Sequence, residues 1–395
     1  MKAAVIGASA ESLHSISLAQ QMGITVVALD GNPKAEGLQA ADKGLLVDIS
    51  DEEETIRVMK EEKPDFIMTV PIGRYLTTIG AVNDALHLKG ISKASATLCT
   101  DKYEYHLAMH QAGLRNCSCL LIDSQFQPEN ILNQADTMNY PLILKPRYGS
   151  GSRGIYMVYN KGDLACVLKG LRDCQEDFIL EEVAGGTEYG VDASVTDGVF
   201  HMILLREKIN TPPPVCQAVG YFAVNPEEQK DLYERVERYL ERTVSVLHMD
   251  NCLFHADLMI RGEQLFAIEV SARPSGHYLH NVFTPMATGV DECQEFMKYM
   301  SGEPFQFVPN QIKPIMIHFF DVKEGTVKEV LPVSEVKLPD GITMIAHTCT
   351  IKSGDSLEKV TGGHSLMGRG YFILKGTDRE NLLQAAEAIK SLIVV

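Results

Sequence analysis

The chain has 395 residues, 45% hydrophobic and 22% charged, a composition that fits a packed globular protein and excludes long disordered tracts. One hydrophobic core has usually stopped growing at this length, so about two or three domains in one continuous body are expected. The net charge of -16, with no Lys/Arg-rich run, excludes a broad electrostatic footprint for nucleic acid or anionic lipid, so any phosphate ligand must be held locally.

The run Met1-Lys2-Ala3-Ala4-Val5-Ile6-Gly7 leads directly into a strand, and no apolar stretch approaches the roughly 18 residues of a spanning helix, so a cytoplasmic protein is expected. Nine scattered cysteines, with only Cys117 and Cys119 close together, predict buried reduced thiols rather than a disulfide framework or zinc site. Residues 2–7 and 24–30 read as buried parallel strands around a helix near Ser12 to Met22, with a third strand at Phe66 to Val70: βαβ architecture. The first turn, Gly7 to Ser12, lacks the later glycines of a dinucleotide fingerprint, which makes Asp30 weak evidence for a nicotinamide cofactor.

A helix opens at Thr100-Asp101-Lys102. Lys102 in its first turn opposes the helix dipole unless an anion binds there. Gly149-Ser150-Gly151-Ser152-Arg153-Gly154 fits G-x-G-x-x-G, but strand-like runs at Leu142 to Lys145 and Ile155 to Tyr159 flank it, whereas a Rossmann loop leads into a helix. A glycine-rich hairpin tip can fold over phosphates and offer its backbone N–H groups; the plain alternative is a flexible turn. Lys145, just before it, can add a compact positive charge to the same phosphates. In Ile179-Leu180-Glu181-Glu182-Val183, backbone groups at Glu181, Glu182 and Val183 suit an adenine edge and Glu188 suits ribose hydroxyls; the alternative is a strand ending in a solvated acidic turn.

A core helix is predicted from about Pro226 to His248, capped by Asn225-Pro226, with Leu232, Val236, Leu240, Val244 and Leu247 on one stripe. His255 to Ile260 and Leu265 to Glu269 then read as a hairpin. Asp257 and Glu269 are an even number of residues apart, so a turn with an odd number of residues puts both on one face, while a two-residue Gly262-Glu263 turn would separate them. Two carboxylates on such strands repel unless a cation lies between them, and hard oxygen ligands suit Mg²⁺. Arg273, two residues past Ser271, is placed to stabilise a transferred phosphoryl group, and His277 is a candidate substrate contact. From about Phe307 come strands at Ile315 to Phe320 and Tyr371 to Leu374 and a last helix with a capping box at Thr377-Asp378-Arg379-Glu380.

This ordered set resembles the ATP-grasp superfamily over nearly the whole chain. The resemblance implies a mixed α/β and α+β fold: an N-terminal Rossmann-like domain (1–98), an ATP-grasp region (99–306, with a glycine-loop lobe at about 115–185) and a small C-terminal α/β domain (307–395). It implies Lys102 and Lys145 as phosphate lysines, residues 149–154 as the mobile loop, Glu181 and Val183 as the adenine hinge and Glu188 as the ribose ligand. Asp257, Glu269 and Ser271 take the metal positions, Ser271 where most members have asparagine, and Arg273 is the catalytic arginine. ATP with Mg²⁺, or Mn²⁺ as a substitute, is the implied cofactor pair. Arg206-Glu207-Lys208, the prolines Pro212 to Pro214 and the segment from Gly363 to Tyr371 resemble bacterial L-amino-acid (dipeptide) ligases, although Ala218-Val219-Gly220-Tyr221 departs from their substrate loop; Arg206, Tyr221 and His277 are then the candidate substrate contacts. The implied reaction joins a small carboxylate to an amine through an acyl phosphate, in a protein that binds neither nucleic acid nor membrane and for which a homodimer is compatible. The alternatives are a purine-biosynthetic ligase or carboxylase of the same superfamily, an acyl-CoA-forming ligase and a nucleotide-binding regulator.

Overall fold

The computed structural model describes residues 1–149, 154–172, 174–212 and 217–395. Ser150, Gly151 and Ser152 of the glycine loop, and Pro213 and Pro214, lie outside the described residues.

Four parallel strands form the N-terminal sheet, in the order Lys43–Leu46, Thr25–Asp30, Lys2–Ile6, Phe66–Met68. The inner strands are apolar runs buried on both faces, as expected when helices cover a parallel sheet. Lys43–Leu46 was not expected from the sequence because it is a four-residue edge strand, largely exposed, in which only Leu45 and Leu46 are large apolar residues. Asp30 accepts the amides of Ala8 at 2.7 Å and Asn32 at 2.8 Å, so it braces the turn instead of waiting for a ribose.

The glycine-loop lobe is a four-stranded antiparallel sheet in the order Cys119–Ile122, Phe178–Glu182, Leu142–Pro146, Tyr156–Val158. Helices Pro128–Ala135 and Lys161–Gly170 close it over its own core, which includes Leu144, Leu164 and Leu180. The chain leaves this lobe at Glu182 and enters the central sheet at Thr187. Gly186 lies between, with φ +141 and a Cβ position 2.3 Å from the carbonyl oxygen of Ile260, so a side chain cannot fit at this crossing.

The central sheet has eight strands: Gln264–Ser271, Cys252–Arg261, Thr187–Thr196, Val199–Asn210, Ala218–Ala223, Ile315–Phe319, Gly370–Lys375 and Thr343–Cys349. The expected division near residue 307 therefore crosses a continuous sheet, because Ile315–Phe319 pairs antiparallel with Ala218–Ala223. The amphipathic helix runs Lys230–Val246, starting later than Asn225-Pro226 predicts; Asn225 accepts from the Glu227 amide in a separate local turn. The last helix, Arg379–Lys390, is capped by Asp378 accepting from the Asn381 amide, so Asp378 replaces Thr377 as the cap and shifts the expected box by one residue. Among the described residues eight cysteines are free thiols; Cys117, Cys252 and Cys293 are buried as expected, but Cys166 and Cys349 are exposed. No helix among the described residues is long and apolar enough to cross a membrane.

Candidate functional site

The hairpin of Cys252–Arg261 and Gln264–Ser271 turns through two residues, with Arg261 paired to Gln264. On its own, this turn would put Asp257 and Glu269 on opposite faces, against the odd-turn expectation. A register shift corrects the face: Leu258 pairs with Ala267 but Asp257 pairs with Glu269, leaving Ile268 as the extra residue of a β-bulge. Directly opposed residues share a face, so the register places the two acids on the same face of the hairpin. The bulge achieves what the turn does not.

Glu269, Ser271 and Arg273 line a cleft together with Lys102, Gly149 and Arg74. Lys102 donates to the carbonyl of Gly149 at 2.7 Å, joining the start of helix Lys102–Gln111 to the glycine loop. Burial pulls its ammonium below the ordinary lysine range, partly offset by Glu269. Arg273 Nη1 donates to the Pro274 carbonyl at 2.8 Å. The N-terminal domain reaches the same region through Glu11, whose carboxylate meets the His277 amide at 3.5 Å and whose pKa is raised by burial against the lowering effects of that amide and Arg273. His277 has a positive φ of 58 and packs against Gly363, where an added Cβ would lie 2.6 Å from its ring nitrogen, so the C-terminal segment backs the loop that carries His277.

Lys145 is 6% exposed and lies 2.5 Å from Glu181 Oε1; Arg115 holds Glu181 Oε2 at 2.9 Å. Burial would raise the Glu181 pKa, but these two cations outweigh it and keep the carboxyl below its usual range. The hinge differs from expectation in one detail. The Val183 amide donates to the Pro141 carbonyl at 3.2 Å and cannot also serve a base edge. The Glu182 carboxylate accepts from the amides of Ser118 and Asn139 and from the Asn139 side chain, which leaves the expectation for its backbone groups unchanged.

Across the cleft, Lys208 links Glu188 at 2.7 Å to Asp257 at 2.8 Å. Burial opposes the charge on Lys208, yet Asp257 and Glu188 raise its pKa; for Asp257, burial raises and Lys208 and His255 lower, the net effect being a fall. Lys208 is a site residue that motif reading did not assign. Its signal was alternation: Glu188, Gly190 and Asp192 on one strand face Arg206 and Lys208 on the next, where opposite charges meet. Arg206, expected at the substrate, is fully buried and clamps Asp192, with Nη2 at 2.8 Å from Oδ1; Thr284 donates to the same carboxylate at 2.6 Å. Gly190 gives the guanidinium room, since a Cβ there would be 3.2 Å from Nη2. Tyr221, also buried, has its ring 5.5 Å from the Arg206 carbon. Arg206 thus braces the floor of the site from within the core.

Next to this brace, Glu292 is completely buried with neither carboxyl oxygen hydrogen-bonded, and burial together with Asp192 pushes its pKa well above the ordinary 4.5. A carboxyl protonated in the fold but ionised in the unfolded chain favours folding less as pH rises above 4.5, by about 1.4 kcal/mol per pH unit until the folded-state pKa is reached. Glu292→Gln is therefore expected to flatten the alkaline limb of the stability profile, measured by urea unfolding at pH 5, 6, 7 and 8; parallel profiles would show Glu292 ionised in the fold. Lys145→Ala is expected to raise the KM for ATP at least tenfold, about 1.4 kcal/mol. Arg115 still neutralises Glu181 in that variant, so the fold should persist. An unchanged ATP dependence would make Lys145 a partner of Glu181 only.

Residues 138–281 match the family model described as ATP-grasp domain. A formate-dependent phosphoribosylglycinamide formyltransferase of Nitratiruptor sp. is 23% identical over 281 residues, and the match spans 65% of each chain, slightly under two thirds. The structure of phosphoribosylglycinamide synthetase from Anaerococcus prevotii superposes with a TM-score of 0.75 at 19% identity, covering 99% of this chain and 98% of the other. The L-amino acid ligase from Bacillus licheniformis gives a TM-score of 0.75 at 16% identity, covering 98% and 96%.

Proposed function

We propose that this chain, which carries an ATP-grasp domain within an ATP-grasp fold, is an ADP-forming ligase that activates a small carboxylate as an acyl phosphate and passes it to an amine. The observation that supports this reading is the pairing of Asp257 opposite Glu269 on one face of the hairpin, with Glu269 lining a cleft that also holds Lys102, Ser271 and Arg273. Two opposed carboxylates form a hard-oxygen pair suited to Mg²⁺, with Ser271 beside them; the ion would neutralise charge on the nucleotide phosphates. Lys102 and Lys145 hold phosphates, Glu188 accepts from the ribose, and Arg273 stabilises charge on the transferred group. Most of the protein's contribution is positioning and electrostatics.

The choice of branch moves away from the dipeptide ligases. The sequence relatives are formate-dependent formyltransferases, and the likeness to L-amino acid ligase, at 16% identity, concerns the fold alone. A purine-biosynthetic type of ligase, acting on a very small acid such as formate, is the better-supported member of this class. One observation supports keeping amino acids as a second reading. A crevice at the carboxyl ends of the N-terminal parallel strands meets the cleft at Ile72 and Gly73, and its charged lining is Asp30 and Asp48, which suits a protonated amine better than a phosphorylated one.

The test is phosphate release from ATP with formate plus phosphoribosylglycinamide and, in parallel, with a panel of amino acids. ADP and an acyl phosphate trapped by hydroxylamine are expected. Formation of AMP and pyrophosphate would overturn the mechanism, and release with amino acids alone would restore the amino-acid reading.

A further inference from the structure

Ala267 directly precedes the bulge that brings Glu269 opposite Asp257, and its strand is the outer edge of the central sheet. On that open side its backbone has no neighbouring strand, so both polar groups need side-chain partners. The Ala267 amide donates to the Tyr239 hydroxyl at 3.0 Å; its carbonyl accepts from the Tyr105 hydroxyl at 2.9 Å and from Arg115 Nη1 at 2.7 Å. Arg115 is 4% exposed, and its Nη2 donates at 2.9 Å to Glu181, which also holds Lys145. One planar guanidinium therefore touches the bulged edge of the acid-bearing hairpin and the carboxylate that positions the phosphate lysine. These two contacts lie on different lobes.

We propose that Arg115 is a positioning residue that couples the nucleotide phosphates to the metal-binding acids, by fixing the Ala267 edge and Glu181 in one rigid fork. The proposal rests on the reading of the cleft as an MgATP site. Neutralising Glu181 does not by itself require Arg115, because Lys145 also pairs with it, and the Ala267 carbonyl keeps Tyr105 without it. What Arg115 adds is the connection between them. A lysine cannot replace it, since its single ammonium lacks the two fixed, divergent donors.

The experiment measures ADP affinity by calorimetry with and without Mg²⁺, and the Mg²⁺ concentration for half-maximal phosphate release. Wild-type ADP affinity is expected to strengthen with Mg²⁺. Arg115→Met is expected to raise the Mg²⁺ requirement at least tenfold and to bring the ratio of the two ADP dissociation constants close to one, and Arg115→Lys should behave likewise. A folded Arg115→Met protein with the wild-type ratio and requirement overturns the proposal, as does full rescue by lysine. If the methionine variant does not fold, the Tyr105→Phe variant decides, since its hydroxyl bonds the Ala267 carbonyl and its loss leaves the Arg115–Glu181 pair in place. A raised Mg²⁺ requirement with unchanged metal-free ADP affinity supports the coupling, and an unchanged requirement overturns it. Wild-type protein that binds no ADP would instead overturn the site reading, and the coupling with it.

Discussion

Asp257→Asn and Glu269→Gln are each expected to abolish turnover while leaving the protein folded. Both replacements keep the side-chain shape and remove one negative charge; a neutral amide is a much weaker Mg²⁺ ligand than a carboxylate. Loss of a buried partner often destabilises a protein by leaving a charge uncompensated, but Lys208 retains Glu188 at 2.7 Å when Asp257 is replaced. Unfolding transitions close to wild type should therefore accompany a loss of phosphate release of at least a thousandfold, about 4 kcal/mol in the barrier. Near-wild-type turnover in both variants would sink the metal assignment. Turnover restored by raised Mg²⁺ in the Asp257→Asn protein alone would make Glu269 the principal ligand and assign Asp257 chiefly to Lys208.

The two acids also show how far the sequence could be read. Their residue types, spacing and apolar surroundings were legible, because strand periodicity and the scarcity of acids in buried strands are local signals. The bulge at Ile268 was not legible, since it adjoins Ala267, whose partners Tyr105, Arg115 and Tyr239 are distant in sequence. The same limit explains the hinge. Glu181, Glu182 and Val183 were found as a segment, but whether each group faces a ligand or a neighbouring strand depends on the pairing partners Pro141, Ser118 and Asn139. Arg206 was misread for a related reason: an arginine in an apolar strand looks functional until the neighbouring strand supplies Asp192 and Gly190. The parallel N-terminal strands were readable because fully buried strands are continuous apolar runs, whereas the exposed edge strand at Lys43–Leu46 lacks that pattern.

Arg273→Lys is expected to lower kcat and kcat/KM together by a factor on the order of a hundred, about 2.7 kcal/mol, with little change in nucleotide affinity. The guanidinium lies in the same cleft as Glu269 and Ser271, away from the Lys145–Glu181 pair. Its Nη1 contact to the Pro274 carbonyl leaves other donors of the planar group free to meet developing charge on a transferred phosphoryl group. Lysine keeps the charge and loses the planar fork, so any activity that survives measures the contribution of charge alone. An interaction made mainly in the transition state should affect the chemical step and spare binding, which single-turnover phosphate release and nucleotide calorimetry separate. Glu11 adds a second reading of the same residue, because part of what opposes the burial-driven rise in its pKa is the charge of Arg273. Since lysine preserves that charge, the titration of the Glu11 carboxyl, followed by NMR, should stay nearly in place in Arg273→Lys and move upward in Arg273→Met. If the lysine variant loses ATP binding while its single-turnover chemistry remains normal, Arg273 anchors the nucleotide, and the phosphoryl group must be stabilised by another cation of the cleft, with Lys102 and Arg74 the nearest at hand.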